Sequence, residues 1–349
     1  MAEQIKEVIK QEYVKCAQDP AYFMQKYCMI QHPIRGKIPF ELYDFQDKVV
    51  KEFQEHRMNV ILKARQLGIS TLTAGYSLWM MTFQQDKNIL VIATKQEVAK
   101  NLVTKVRVMH ANLPSWLKQR CVEDNKLNLR YRNGSQIKAV SSGPEAARSE
   151  ALSLLILDEA AFIDKIDDIW TAAQSTLTTG GQCIALSTPN GVGNWFHKTW
   201  VEAEEGRGLF NPIKLHWTVH PDREENWRKE QDTLLGIGSA AQECDCDFLT
   251  SGTGVIDATL LENLRKNHCK DPLEKRGIDS NMWVWESANY NKDYIVCADV
   301  GRGDSADYSA FHIIELESLT QVAEYKGRIN TKDFGNMLVS VATEYNDAL

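Results

Sequence analysis

Met58-Asn-Val-Ile-Leu-Lys63-Ala-Arg65-Gln-Leu-Gly68-Ile69-Ser70 joins a short apolar run to a loop that ends in Gly-Ile-Ser. Phosphate-binding loops commonly read Gly, four residues, Gly-Lys-Ser/Thr. Gly68 and Ser70 keep that register, but Ile69 occupies the lysine position and a lysine stands first instead, as Lys63. The reading gains weight from Leu154-Leu-Ile-Leu-Asp158-Glu159, about ninety residues further on, an apolar strand ending in two acids. A phosphate cradle needs backbone N–H groups converging at a helix start, together with a cation. Strand 58–62, loop 63–69 and helix 70–83 would supply both.

Within that frame, Ser70 would ligand Mg2+ and Asp158 would hold the ion's water shell from a neighbouring strand. Glu159 would orient or activate the attacking water. Lys63 would reach the phosphates from the start of the loop, and Arg65 adds a second positive charge. Gln66, Gly68, Ile69, Ser70 and Thr71 are the nucleotide-binding positions of the loop and helix start. Tyr43-Asp-Phe-Gln46 precedes the loop by about seventeen residues. There the Gln46 amide would meet the adenine edge, with Tyr43 or Phe45 supplying stacking area. Plainer readings compete: Lys63 as a surface lysine after an edge strand, Asp158-Glu159 as an acidic pair without a ligand, and Gln46 as a polar residue on helix 44–55.

Bulk properties fit soluble globular protein. Of 349 residues, 43% are hydrophobic and 25% charged, enough chain for two domains. No apolar run approaches the roughly 20 residues of a membrane span, and the charged Met1-Ala-Glu-Gln-Ile-Lys-Glu start lacks a signal-peptide core. Eight scattered cysteines suit reduced thiols in a cytosolic setting better than a disulfide framework. Cys244-Asp-Cys246 has no second Cys/His pair at zinc-finger spacing. A net charge of -7 excludes a uniformly basic nucleic-acid binder, yet Lys95–Lys138 holds ten Lys/Arg against three Asp/Glu. That run is either a solvated face or a phosphate-facing surface.

Strands are expected at 58–62, 88–93, 135–140, 152–157 and 182–186, with helices at 70–83, 94–111 and 166–176. Thr94-x-x-Glu97 reads as a capping box and Asn133-Gly134 as a type I′ hairpin turn. The alternation predicts an α/β fold with a mainly parallel sheet covered on both faces. A polar stretch at 205–250 is expected to be partly helical. New strands begin at Tyr294–Asp299 and Tyr308–Glu315, a third is expected at Gln321–Lys326, and a helix at 331–346. The expected organisation is a first domain over 1–252, a small helical subdomain formed by about 1–40 and 205–250, a linker over 253–288, and an incomplete domain over 289–349.

The ordered set Tyr43-Asp-Phe-Gln46, Lys63–Ser70, Leu154–Glu159 with Ala160-Ala-Phe162, and Ser187-Thr-Pro-Asn-Gly191 resembles the large terminase subunit of tailed bacteriophages. The resemblance implies a RecA-like P-loop NTPase sheet followed by an RNase H-like nuclease domain. It implies ATP and Mg2+ as ligands and hydrolysis coupled to movement of double-stranded DNA. Implied partners are the portal, the small terminase subunit and further copies of the chain in a ring on the procapsid, with a monomer in dilute solution. Ser187 and Thr188 would couple hydrolysis to movement, although a plain Pro-Asn-Gly turn is the competing reading. An arginine acting on the nucleotide is also implied: Arg148, offered to a neighbouring subunit, or Arg65, within the loop. Lysine at the first loop position departs from the commonest terminase pattern and resembles the variant of lambda-like large terminases.

Asp299, followed by Gly301-Arg-Gly303, resembles the opening of the terminase nuclease domain, where the first aspartate would bind Mg2+ or Mn2+. Asp304 and Asp307 are nearby turn acids. The family's second acid would follow helix 331–346, so the expectation is a truncated nuclease that does not cut DNA. Two alternatives stand beside the motor: a superfamily-2-like helicase, which requires a second RecA-like domain after residue 200, and a non-hydrolysing nucleotide-dependent DNA clamp, which Ile69 favours.

Overall fold

The computed structural model describes residues 2–143, 151–177, 180–248, 260, 264, 267–277, 279–302 and 307–349. The chain divides into two compact units, Met1–Leu261 and Glu262–Leu349.

The first unit is organised by four short strands with largely apolar centres: β3 (Met58–Lys63), β4 (Asn88–Ala93), β8 (Leu154–Asp158) and β9 (Gln182–Ser187). Strands covered on both faces have no solvent side to mark with polar residues, hence the apolar centres. With β10 (Asn211–Leu215), β7 (Gln136–Val140), β6 (Asn128–Tyr131) and β5 (Cys121–Asp124) they form one sheet in the order β10-β3-β9-β8-β4-β7-β6-β5. The six strands from β10 to β7 are parallel; β6 and β5 continue antiparallel. Side chains alternate between two cores. Ile61, Val91, Ile156 and Ile184 face one, while Val60, Leu62, Leu90, Ile92, Leu155 and Leu157 face the other. The first core lies against α3 (Asp44–Glu55), α4 (Ile69–Phe83) and α5 (Gln96–Asn112). The second lies against α6 (Ile166–Leu177) and α7 (Trp195–Glu204). The expected parallel sheet with helices on both faces is thus present.

Several local expectations are corrected. Helix α5 is capped by Lys95 and begins at Gln96, with no side-chain cap bond, so Thr94 and Glu97 form no capping box. Asn133-Gly134 does close a hairpin, but Gly134 has φ +85° while Asn133 is not left-handed. The Gly134 N–H donates to Tyr131 O at 3.1 Å, and the Tyr131 N–H to Ser135 O at 2.9 Å. The connection is therefore a three-residue loop with its left-handed glycine last, not a type I′ turn. Residues 205–250 contain α8 (Glu225–Leu235) and a short α9 (Ile237–Ala240), but also β10, hidden by Pro212 and Lys214. Proline is tolerated there because β10 is the edge strand.

The N-terminal part of the expected helical subdomain shares its core with the sheet. Helices α1 (Ala2–Gln18) and α2 (Pro20–Tyr27) lead into the hairpin β1 (Met29–His32)–β2 (Gly36–Pro39). Cys16, Phe23, Met24 and Cys28 are buried in the same core as α4. Gly75 on α4 allows that approach, since a Cβ there would lie 2.4 Å from the Met24 sulfur.

In the second unit, β11 (Glu274–Arg276), β12 (Met282–Val284), β13 (Tyr294–Asp299), β14 (Ser309–Glu315) and β15 (Thr320–Gly327) form a sheet in the order β11-β12-β15-β14-β13. Each pairing is antiparallel, and α10 (Thr331–Glu344) follows. Phe311, Tyr325, Phe334 and Tyr345 fill its core. The stretch 253–288, expected as a linker, instead supplies two of these strands. Three-residue strands carry too little periodicity to be seen alone, and the partner of β12 arrives some forty residues later as β15. No strand pairing among the described residues of 262–349 is parallel, which argues against the helicase alternative and its second RecA-like domain.

Candidate nucleotide site

Ligands of parallel α/β sheets bind beyond the carboxyl ends of the strands. Here β3, β9 and β8 are adjacent and parallel, so their carboxyl ends bring together Lys63, Ser187 and the Asp158-Glu159 pair. Lys63 ends β3 with only 5% exposure, and its Nζ lies 3.0 Å from Glu159 Oε1. The edge-strand surface-lysine reading fails, because β3 is flanked on both sides and the ammonium is aimed into the site. Ile69, at the usual lysine position, is 1% exposed and belongs to the core beneath α4.

Ser70 Oγ donates to Asp158 Oδ1 at 3.1 Å across 88 residues of sequence. A hydroxyl and a carboxylate so close are oxygen donors suited to a hard divalent cation, and the pair fits Mg2+. Burial, and then the neighbouring Glu159, push the Asp158 carboxyl above its ordinary range; Lys63, Ser70 and Lys105 pull it back. A folded-state pKa above the free value means that ionised Asp158 costs folding free energy, a cost absent below the unfolded value. Asp158→Asn should therefore raise the melting temperature of the nucleotide-free protein near pH 7. The gain should shrink as pH falls through the folded pKa. A lower melting temperature for Asp158→Asn would contradict this account of the site.

Glu159 turns the chain in the left-handed region, φ +56°. Its Oε2 accepts from Ser187 Oγ at 3.4 Å, and Ser187 Oγ in turn accepts from the Ala161 N–H at 3.2 Å. Asn190 Nδ2 donates to Ala161 O at 3.1 Å. The Ser187–Asn190 segment is thereby tied to the acidic turn, and Thr188 is buried beside it. This is more than a free Pro-Asn-Gly turn.

The loop itself is shaped to receive an anion. Gln66 and Gly68 are left-handed, φ +59° and +73°, with Leu67 between them. Alternation of this kind makes a concave nest of N–H groups. Among the described residues, the N–H groups of Gln66, Leu67 and Gly68 donate to no protein acceptor. Gln46 departs from its expected role. Its Nε2 donates to Leu67 O at 2.9 Å, its Oε1 accepts from the Tyr43 N–H at 3.2 Å, and the side chain is 3% exposed. The amide braces the loop from behind instead of facing a base. A Cβ on Gly68 would fall 2.7 Å from Gln46 Nε2. Gly68→Ala should thus weaken binding of inorganic triphosphate to the loop about tenfold, roughly 1.4 kcal/mol, as read by titration calorimetry.

A cavity of about 540 Å3 continues from the loop, lined by Tyr43, Gln66, Gly68, Thr71 and His220. Tyr43 stacks on Phe45 at 5.6 Å, and His220 tilts over Tyr43 at 4.7 Å. Tyr43 and His220 thus both face the cavity that continues from the loop. Arg65 does not enter the site: its guanidinium is exposed and lies 3.7 Å from Glu243. Arg148 and Asp304 lie outside the described residues. Three groups had no sequence motif to announce them. Arg223 holds the carbonyls of Arg65 and Gln66, His220 walls the cavity, and Lys105 is a half-buried ammonium whose field reaches Asp158 and Lys63. Lys105 sits in the basic run, which divides in the structure. Lys100 pairs with Glu97 and Arg107 with Asp124, while Lys95, Arg120, Lys126, Arg130 and Arg132 are exposed.

Cys244 and Cys246 face different cores, and the Cys246 thiol points at Leu215 O, 3.4 Å away. Asp299 is exposed at the end of β13, Asp307 is exposed beyond it, and no described cluster of three ligand side chains includes either.

An anion-shaped loop, a buried lysine, a Ser–Asp oxygen pair and a second acid, set at the carboxyl ends of adjacent parallel strands, make this the candidate site of a P-loop fold. Residues 60–262 match the family model described as "Terminase large subunit, T4likevirus-type, N-terminal", and the chain belongs to this family. The large terminase subunit of Thermus phage G20c is 28% identical over 193 residues, covering 50% of this chain and 36% of that protein. The probable terminase large subunit gp28 of Escherichia phage Mu is 27% identical over 249 residues, covering 60% and 44%. The chain thus spans less than half the length of these relatives. Among solved structures, the HK97 bacteriophage large terminase aligns with a TM-score of 0.55 at 15% identity, over 95% of this chain and 71% of that one. A large terminase from a thermophilic bacteriophage, solved in complex with ADP, aligns at 0.50 and 11% identity, over 87% and 74%. These two likenesses establish the fold.

Proposed function

We propose that the chain binds and hydrolyses ATP and that hydrolysis drives double-stranded DNA into a phage procapsid through the portal. The observation that carries this reading is the Lys63 ammonium, buried 3.0 Å from Glu159 and beside the Ser70–Asp158 pair. A cation entering from the first loop position can neutralise phosphates held on the free N–H groups of Gln66–Gly68. Ser70 and Asp158 would hold Mg2+, which when bound screens the charge of the phosphate oxygens. Once phosphate oxygens compete for Lys63, Glu159 is released to orient a water and accept its proton. Ser187, bonded to Glu159, senses that release and passes it to the Thr188–Asn190 segment.

The finer assignments belong to the same proposal. Arg148 is the arginine offered to a neighbouring copy in a ring; Arg65, held outward by Glu243, is the weaker candidate. DNA contact runs through backbone phosphates from the exposed basic residues between Lys95 and Arg132, so affinity should fall steeply with salt. The small terminase subunit and the portal are the protein partners, and the host cytoplasm the setting. Residues 289–349, a three-stranded antiparallel meander and a helix, suit the opening of an RNase H-like nuclease domain. The carboxylates described around Asp299 do not assemble a two-metal site, so no cleavage step is derived.

The test is ATP turnover, with and without double-stranded DNA, by wild type, Lys63→Ala and Glu159→Ala. Stimulated turnover in wild type alone supports the motor. Equal turnover in all three removes it, and binding without turnover favours the clamp.

A further inference from the structure

We propose that Arg223 is a positioning residue that fixes the phosphate loop in its anion-receiving shape, from the same short turn that places His220 against the cavity beyond the loop. The inference rests on the nucleotide reading above and adds a part that none of the loop's own residues provides.

Arg223 Nη1 donates to Arg65 O at 3.0 Å and Nη2 to Gln66 O at 3.1 Å. A planar guanidinium is suited to two neighbouring acceptors in a way an ammonium is not. Its Cζ lies over the Trp227 ring, 4.3 Å from the centroid, and Trp227 leans on buried Trp217 at 5.9 Å. Among the described residues Arg223 makes no ion pair, so no carboxylate competes with the two carbonyls for its guanidinium. These belong to the segment that needs holding, because a non-glycine residue such as Gln66 in the left-handed region costs about 1 kcal/mol. With its acceptors capped by Arg223 and Gln46, the loop leaves its N–H donors for the ligand. The Arg223 N–H donates to His220 O at 3.1 Å, so one turn carries both the loop clamp and the ring that faces Tyr43.

The loop's shape serves bound substrate and transition state alike, so its loss should appear in KM and leave kcat nearly intact. Binding of a fluorescent non-hydrolysable ATP analogue and of inorganic triphosphate is measured for wild type, Arg223→Ala, Arg223→Lys and Trp227→Ala. Steady-state turnover and melting temperature are followed in parallel. Arg223→Ala should weaken both ligands about tenfold, with kcat within about threefold of wild type. Arg223→Lys should recover little of this, added methylguanidinium should restore binding to Arg223→Ala, and Trp227→Ala should fall between. If Arg223→Ala does not fold, Arg223→Lys and Trp227→Ala carry the same test. Unchanged affinity in folded variants overturns the proposal, as does a loss of kcat at constant KM, which would make Arg223 a catalytic residue. Failure of wild type to bind either ligand sinks the nucleotide reading instead.

Discussion

Lys63→Ala lowers ATP turnover by about 10²–10³-fold, the range seen when one pre-placed charge-stabilising group is removed from a reacting centre. The expectation follows from burial. Lys63 is 5% exposed at the end of β3 with its ammonium on Glu159, whereas Lys105 reaches the site from α5 only through its field. Restoring the lysine at the usual position does not rescue the variant. Ile69 is 1% exposed and packs into the core under α4, so Lys63→Ala/Ile69→Lys would bury an unpaired ammonium at a cost of several kcal/mol. Turnover of the two variants, with their thermal melts, reads both effects. A folded, active double variant would show that the loop accepts its cation from either end, contrary to the packing.

Glu159→Gln is expected to lower turnover by about 10²–10⁴-fold, the usual contribution of a positioned general base, while ATP analogue binding tightens. The tightening has a specific source. Without nucleotide, Lys63 is held 3.0 Å from Glu159, whose side chain is one-third exposed, and incoming phosphate must displace that carboxylate. Removing the competing charge should improve affinity about fivefold, ~1 kcal/mol. Affinity that is unchanged or weaker in Glu159→Gln would mean that phosphate does not displace Glu159 from Lys63. The glutamine retains the Ser187 contact as an acceptor, so loss of turnover reports proton acceptance and not collapse of the Ser187 link.

The reliability of the sequence reading follows the length scale of each interaction. Strands β3, β4, β8 and β9 are legible because burial on both faces makes each a largely apolar run, and α5 and α6 because their buried positions repeat at helical spacing. Edge strand β10 was not, since an edge tolerates Pro212 and Lys214 and loses the apolar signature. Strands β11 and β12 were missed because three residues carry no period. The hairpin at Asn133-Gly134 was placed correctly, but its turn type depends on where the β6–β7 register closes, which no dipeptide specifies.

For the site, sequence alone determined which chemistry was available: a hydroxyl, two acids, a displaced lysine and a glycine-bearing loop, in the order of a terminase ATPase. Tertiary structure decided which of these groups meet. Adjacency of β3, β9 and β8 joins Lys63 to Glu159 across 96 residues and slots Ser187 between them, because parallel strands share one carboxyl edge whatever their separation along the chain. It also turned Gln46 from the base onto Leu67 O and Arg65 outward to Glu243, and brought Arg223 to the loop. A residue's type fixes what it can bond, while its partner is set by the packing of elements distant in sequence, and that information has no local trace.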